Sequence, residues 1–510
     1  MKNKRYAAII LVISMLLTSA LVACKDEQED TFDPDTPGDD FSGSIADKDE
    51  EKDEAPGEQI DEGDETKTYL ISNADELLAM KRKGTYVLTA DIDMTGKEWI
   101  PVGTFEAPFV GTFDGAGYTI KGLTVTDDIE GTGECISYTY SYAGLFGFAR
   151  DAVIKNVKLT DVNIKVDTVG EYRIVYAAAI AGMTIDCNVT GCHVLSGKVT
   201  SSSAFFKAYS AGITAFSFGS HFIGCTVNAD ISVTGSAITS VAGGINAQIG
   251  LKSTVNKCSS SGTVSTVSTD GNAYSGGLVG YVNNSTVTYC SSSSDVSSAT
   301  ECNESETGKA GACFSGGVMV YITNSLSESC TVTAISSSGT VSANSVDYTA
   351  YAGGIAGYMA YTAFTHSYSS SSVTAHSELK EAYAAGICSY TSSSVKYDGI
   401  FFVGNVSTEA TKDDPRCGLL TAYNASSDDK PIVTVGFAHL PLSEMQIKIN
   451  GKVYGSNGFP TDTLIVHGEE YSSSALKSKN ILTGDLGWNA DDWSFSMSAY
   501  PSVNLTVVSE

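Results

Sequence analysis

Apolar residues in this chain come in short pieces. From residue 136 to 423, β-branched and aliphatic residues recur between Gly and Ser, and no ten-residue stretch keeps a helical period. Such text predicts short strands. One phrase, a small residue followed by an aliphatic one, recurs nine times. Its anchors are Gly144, Ala179, Gly212, Gly244, Gly277, Gly317, Gly354, Gly386 and Gly418, spaced 32 to 40 residues apart. A second slot follows 13 residues on, at Cys192, Cys225, Cys290, Cys330 and Ser367, or 14 on at Cys258. Two or three short strands per ~33 residues, repeated in register, predict an all-β fold: a right-handed parallel β-helix whose coils stack at ~4.8 Å. Propeller blades and leucine-rich repeats have other periods and signatures.

Strand alternation assigns faces. The aliphatic slot (Leu145, Ile180, Ile213, Ile245, Leu278, Val318, Ile355, Ile387, Leu419) is expected in the core. Four residues earlier stand Tyr176, Tyr209, Tyr274, Phe314, Tyr351 and Tyr383; they share its parity and are expected in the core or at a corner. Four residues after the anchors the parity is opposite, at Tyr281, Tyr321, Tyr358 and Tyr390. On a straight strand these four form a surface stripe, and rings with a polar tip suit ligand recognition, sugars included. If Gly turns the chain, they pack at a corner instead. They are the candidate ligand-binding residues.

The remaining chemistry is sparse. The Cys slot reads as a stack of reduced, buried thiols. Stacked parallel Cβ vectors miss the ~3.8 Å approach of a disulfide, and the spacing lacks the close pairs of a zinc site. No metal ligand set, cofactor motif or catalytic residue is assigned. The six His are scattered without a His-Glu-x-x-His arrangement. Asp91, Asp93 and Asp114 are the best carboxylate cluster, and turn formation is their expected role. The rivals are a polysaccharide-active β-helix enzyme, which needs clustered carboxylates on adjacent coils, and a passive stalk or coat protein.

Charge divides the chain. Of 510 residues, 59 are acidic and 31 basic, a net of −28. Between Lys25 and Thr66 there are 19 acidic and 3 basic residues, so residues 24–66 read as an acidic, disordered tether. The excess of acid argues against a nucleic-acid partner. Residues 1–23 read as a signal peptide, with Lys2, Lys4 and Arg5 ahead of a short apolar run. Residues 67–135 are expected to form an N-terminal cap and first coils, with Asn73 and Glu76 framing a helix over 74–83. The repeats occupy 136–423. Residues 424–510 lose the period and are expected to form a C-terminal cap or small β module.

Two resemblances add to this reading. Leu21-Val22-Ala23-Cys24 resembles the bacterial lipobox, and Lys25-Asp26-Glu27 resembles the export signal of Bacteroidota surface lipoproteins. They imply lipidation of Cys24 and a membrane partner reached through that anchor, at the cell-exposed outer membrane. Gly276-Gly277-Leu278-Val279-Gly280-Tyr281 resembles the GLUG-motif repeat of bacterial surface proteins and adhesins, over roughly residues 68 to 425. That resemblance implies non-catalytic adhesion to a glycan or a host surface or matrix protein.

Overall fold

The computed structural model describes residues 62–126, 130–135, 138–168, 173–235, 238–301, 311–323, 330–392, 394–411, 415–425, 433–454, 464–465 and 468–507. The signal peptide, Cys24 and the tether up to residue 61 lie outside these. The described chain is a parallel β-helix of about nine turns with coils of ~33 residues. Three sheets run along it. One coil shows the plan: Thr254–Asn256 and Ser259–Ser268 lie in sheet I, Asn272–Gly276 in sheet II and Val279–Asn283 in sheet III. Each strand pairs in parallel with its counterparts one coil before and after, as Val264 does with Ile231 and Val296.

The core follows from alternation. On sheet I the inward residues of Ser259–Ser268 include Val264, Thr266 and Ser268, all buried, while Thr263 faces solvent. The aliphatic slot is fully buried in all nine copies. Two registers differ from the sequence expectation. Gly418 pairs with Ala385, so Leu419 and not Gly418 occupies the last anchor. Cys330 pairs with Thr362, and it is Ile335 that pairs with Cys290. Counting from an anchor fails there because the coil is longer between residues 317 and 330.

The Cys slot is the second residue of a repeated turn. The residue before it takes a left-handed conformation in eight successive coils: Asn156, Gly191, Gly224, Lys257, Tyr289, Ala334, His366 and Gly399, with φ from 49° to 64°. The slot itself (Val157, Cys192, Cys225, Cys258, Cys290, Ile335, Ser367, Ile400) is buried. Cys187, Cys192, Cys225, Cys258, Cys290, Cys313, Cys388 and Cys417 are free thiols.

The ends are closed differently. The N-terminal helix is shorter than expected, Ala74–Leu78, because strand Lys83–Leu88 begins within the predicted span. Asn73 Oδ1 accepts the Glu76 N–H at 3.0 Å, and Ala74 and Leu77 enter the core. Strand Gly63–Ile71 precedes it, so regular structure starts inside the segment read as tether. At the other end, Ile447–Ile449 extends sheet I and Lys452–Tyr454 folds back on it antiparallel. The remainder is more than a cap. Residues 479–507 form a strap that returns along the left-handed turns, from Gly399, whose carbonyl accepts the Trp488 indole N–H at 2.7 Å, to Lys257, whose ammonium meets Thr506 O.

Candidate functional site

The aromatic residues of both ladders meet at the corner between sheets II and III. Ala273 and Ser275 point into the solenoid, so Tyr274 between them points out. Leu278, of the same sequence parity as Tyr274, points in, because the turn at Gly276-Gly277 breaks the alternation. Of the two places expected for Tyr176, Tyr209, Tyr274, Phe314, Tyr351 and Tyr383, core or corner, the structure gives the corner. They are buried but stand outside the continuous core cluster, on the outer face.

Sheet III presents its own row on the same side. Phe148, Met183, Phe216, Gln248, Tyr281, Tyr321, Tyr358, Tyr390 and Tyr423 pair in unbroken register. The rings of Tyr281, Tyr321, Tyr358, Tyr390 and Tyr423 stack at successive centroid distances of 4.8, 4.2, 5.3 and 4.9 Å. Across the corner the two rows meet edge to face: Tyr274 and Phe314 lie at 83° and 82° to Tyr321, and Tyr351 at 76° to Tyr390. Offset and perpendicular contacts are the arrangements that ring quadrupoles favour. The rows can close this far because Gly280 lies beneath them. A Cβ there would stand 2.5 Å from Val241 Cγ1 and 2.4 Å from Ala247 O.

The structure thus brings Tyr281, Tyr321, Tyr358 and Tyr390 together in one stack. Stacking takes up the ring faces, and what reaches the surface is edges and hydroxyls. Tyr358 and Tyr390 are 3% and 6% exposed and offer no open face. Tyr281, Tyr321 and Tyr423 are half-buried. Burial pushes the phenols of Tyr281 and Tyr321 upward, so they remain neutral hydrogen-bonding groups. The spine is interrupted once, where Val241 and Gln248 replace rings.

Sequence reasoning missed three members. Tyr423 was hidden by the one-residue register error at the last anchor. Arg416 occupies the sheet II row directly after Tyr383 and lies over Tyr383 and Tyr423, 5.6 and 5.1 Å from the ring centroids. Arg150 lies over Phe148 and Phe105 at 5.3 and 5.9 Å, by the first sheet III ring. Two of the four arginines beyond the signal segment therefore border the spine at its two ends, a signal available only once rows are aligned.

The other candidate chemistry dissolves into turns. Asp93 accepts the Thr95 N–H, Asp91 the Thr119 N–H, and Asp114 the Ala116 N–H and the Asn156 amide. Burial alone would raise Asp114, but the bonds from Asn156, Ala116 and Lys155 outweigh it and hold the carboxyl below its usual range. Among the described residues, no three His, Cys, Asp or Glu side chains gather as a metal site. A cavity of about 430 Å³ opens beside Trp99, between residues 96–100 and 124–126. Its Lys97 amine is held by Asp75 at 2.8 Å.

No protein-family model matches the chain, and no curated protein matches it. Among solved structures, a Bacteroides ovatus protein provisionally described as an immunoglobulin A1 protease matches with a TM-score of 0.33 and 17% identity, covering 88% of this chain and 95% of that one. At that similarity it carries no argument about function.

Proposed function

We propose that this chain is a lipid-anchored surface protein whose β-helix binds a glycan along the aromatic spine and carries out no catalysis itself. The observation that carries the reading is the ordered row of tyrosine edges and hydroxyls at the corner of sheets II and III, ending in half-buried Tyr281, Tyr321 and Tyr423. Neutral hydroxyls beside ring edges offer both the apolar patches and the hydrogen-bonding groups that a pyranose presents. The resemblance of Gly276 to Tyr281 to GLUG-motif repeats supports adhesion, and the lipobox-like segment at Cys24 supports the anchor. A host or matrix protein is the alternative ligand.

The test is an array of glycans and matrix proteins probed with full-length protein and with the Tyr281→Ala/Tyr321→Ala variant. Binding that drops at least tenfold in a variant with unchanged circular dichroism supports the reading. An array without ligands, or binding indifferent to both tyrosines, overturns it. The anchor is tested separately: labelled fatty acid is expected on the wild type and not on Cys24→Ser.

A further inference from the structure

The last ring of the spine differs from the others. Among the described residues Thr421–Asn424 is the terminal strand of sheet III, and no further ring of its row covers Tyr423. Beside it, the sheet II row replaces its aromatic with Arg416. The guanidinium rests over Tyr383 and Tyr423 and makes no ion pair with any described carboxylate. A guanidinium held over aromatic rings still has N–H groups to offer, and a pair of them matches a carboxylate with two parallel hydrogen bonds.

The surroundings favour an acid from outside the chain. Neither aromatic row contains Asp or Glu. Glu381, two residues before Tyr383 in sequence, accepts the Thr349 hydroxyl at 3.2 Å on the preceding coil. A protein with a net charge of −28 thus keeps an arginine, paired with none of the described carboxylates, against Tyr383 and half-buried Tyr423, whose rows supply no acid.

We propose that Arg416, with the rings of Tyr383 and Tyr423, forms a subsite for the carboxylate-bearing sugar of an acidic glycan. The guanidinium takes the carboxylate, and Tyr423 takes the apolar side of the same pyranose. This deepens the glycan-binding reading and rests on it.

The experiment compares matched probes on the full-length protein by calorimetry. Oligogalacturonides are set against their methyl esters, and sialyllactose against its sialic acid methyl ester, so that each pair differs in the anionic group and the two pairs separate plant-type from animal-type sources. The free acid of at least one pair is expected to bind about tenfold tighter than its neutral partner, with the preference shrinking as salt rises. Arg416→Gln should bring the free acid down to the level of its neutral partner, and Arg416→Lys should keep part of the preference. Tyr423→Ala should weaken both members of the pair. Equal binding of acid and neutral probes, no binding of any of the four, or a preference that survives Arg416→Gln in a protein with wild-type circular dichroism overturns the subsite. Neutral glycans bound on the array through Tyr281 and Tyr321 would still uphold the wider reading in that case.

Discussion

Cys258 shows what its ladder requires of a residue. Its thiol donates to Asn256 O at 3.3 Å and accepts the Cys225 N–H at 3.4 Å. Ser367 makes the same two contacts, to Thr365 O at 2.7 Å and from the Ile335 N–H at 2.9 Å. The slot therefore wants a small buried group with one donor and one acceptor, and Cys258→Ser should cost less than about 1 kcal/mol in chemical denaturation. Burial pushes the thiols of Cys187, Cys313, Cys388 and Cys417 up to about 12, from 9.0. Their pKa values are raised in the folded state, so their contribution is fully present below pH 9 and is lost as pH rises from there towards 12. Each such thiol should add about 1.4 kcal/mol per pH unit to that loss. Denaturation midpoints from pH 8 to 10.5 check this, and a flat profile contradicts it. Gly280 makes the complementary point about space. Gly280→Ala would drive a methyl into Val241 and the Ala247 carbonyl, and a loss of about 2–3 kcal/mol is expected. A variant as stable as wild type would mean the spine can open.

Among elements, the turn before each Cys slot is the least obvious from sequence. Gly191, Gly224 and Gly399 suit a left-handed conformation, but Lys257, Tyr289, Ala334 and His366 adopt it as well, at ~1–2 kcal/mol each. The stacked turns hold them there: the backbone bond continues from coil to coil, as Lys257 N to Thr288 O at 3.1 Å. Along this ridge lies the strap, whose Trp488 and Trp493 stack with each other at 4.2 Å and approach Tyr368. Gly399, with φ 63°, admits the strap backbone, since a Cβ there would stand 2.3 Å from Leu486 O. Trp488→Ala removes a buried indole and its bond to Gly399 O, at about 3–5 kcal/mol. Limited proteolysis should then cut within 471–507 well before any coil. Simultaneous digestion of strap and coils would show instead that the strap is part of one cooperative unit. The strap was illegible in sequence because its contacts reach far along the chain, 89 residues from Trp488 to Gly399 and 133 from Pro501 to Tyr368.

At the scale of the whole molecule, a stack of parallel coils has two open ends, and unpaired strand edges invite further pairing. The antiparallel turn of Lys452–Tyr454 onto Ile447–Ile449 ends one parallel column of sheet I, while Val433–His439 beside it pairs in parallel with only the two-residue strand Glu469–Glu470. A chain stopped after residue 442 should associate with itself as concentration rises in analytical ultracentrifugation, where the full chain stays at one size. A truncated chain that remains monomeric throughout would place the protection elsewhere. The repeat, the stacking of coils and the buried aliphatic row were all legible in the one-dimensional text, because a solenoid's contacts are local translations of one period. Sequence alone thus determined the fold, the Cys stack apart from Cys330, and, Tyr423 excepted, which tyrosines share a row. Which side each row faces was decided only in three dimensions. At Gly276-Gly277 the chain turns a corner and the rule of alternation stops applying, so Tyr274 and Leu278 part company despite their spacing. The meeting of two rows in one spine, and of Arg416 with Tyr423, likewise depends on the angle between sheets, which no period along the chain records.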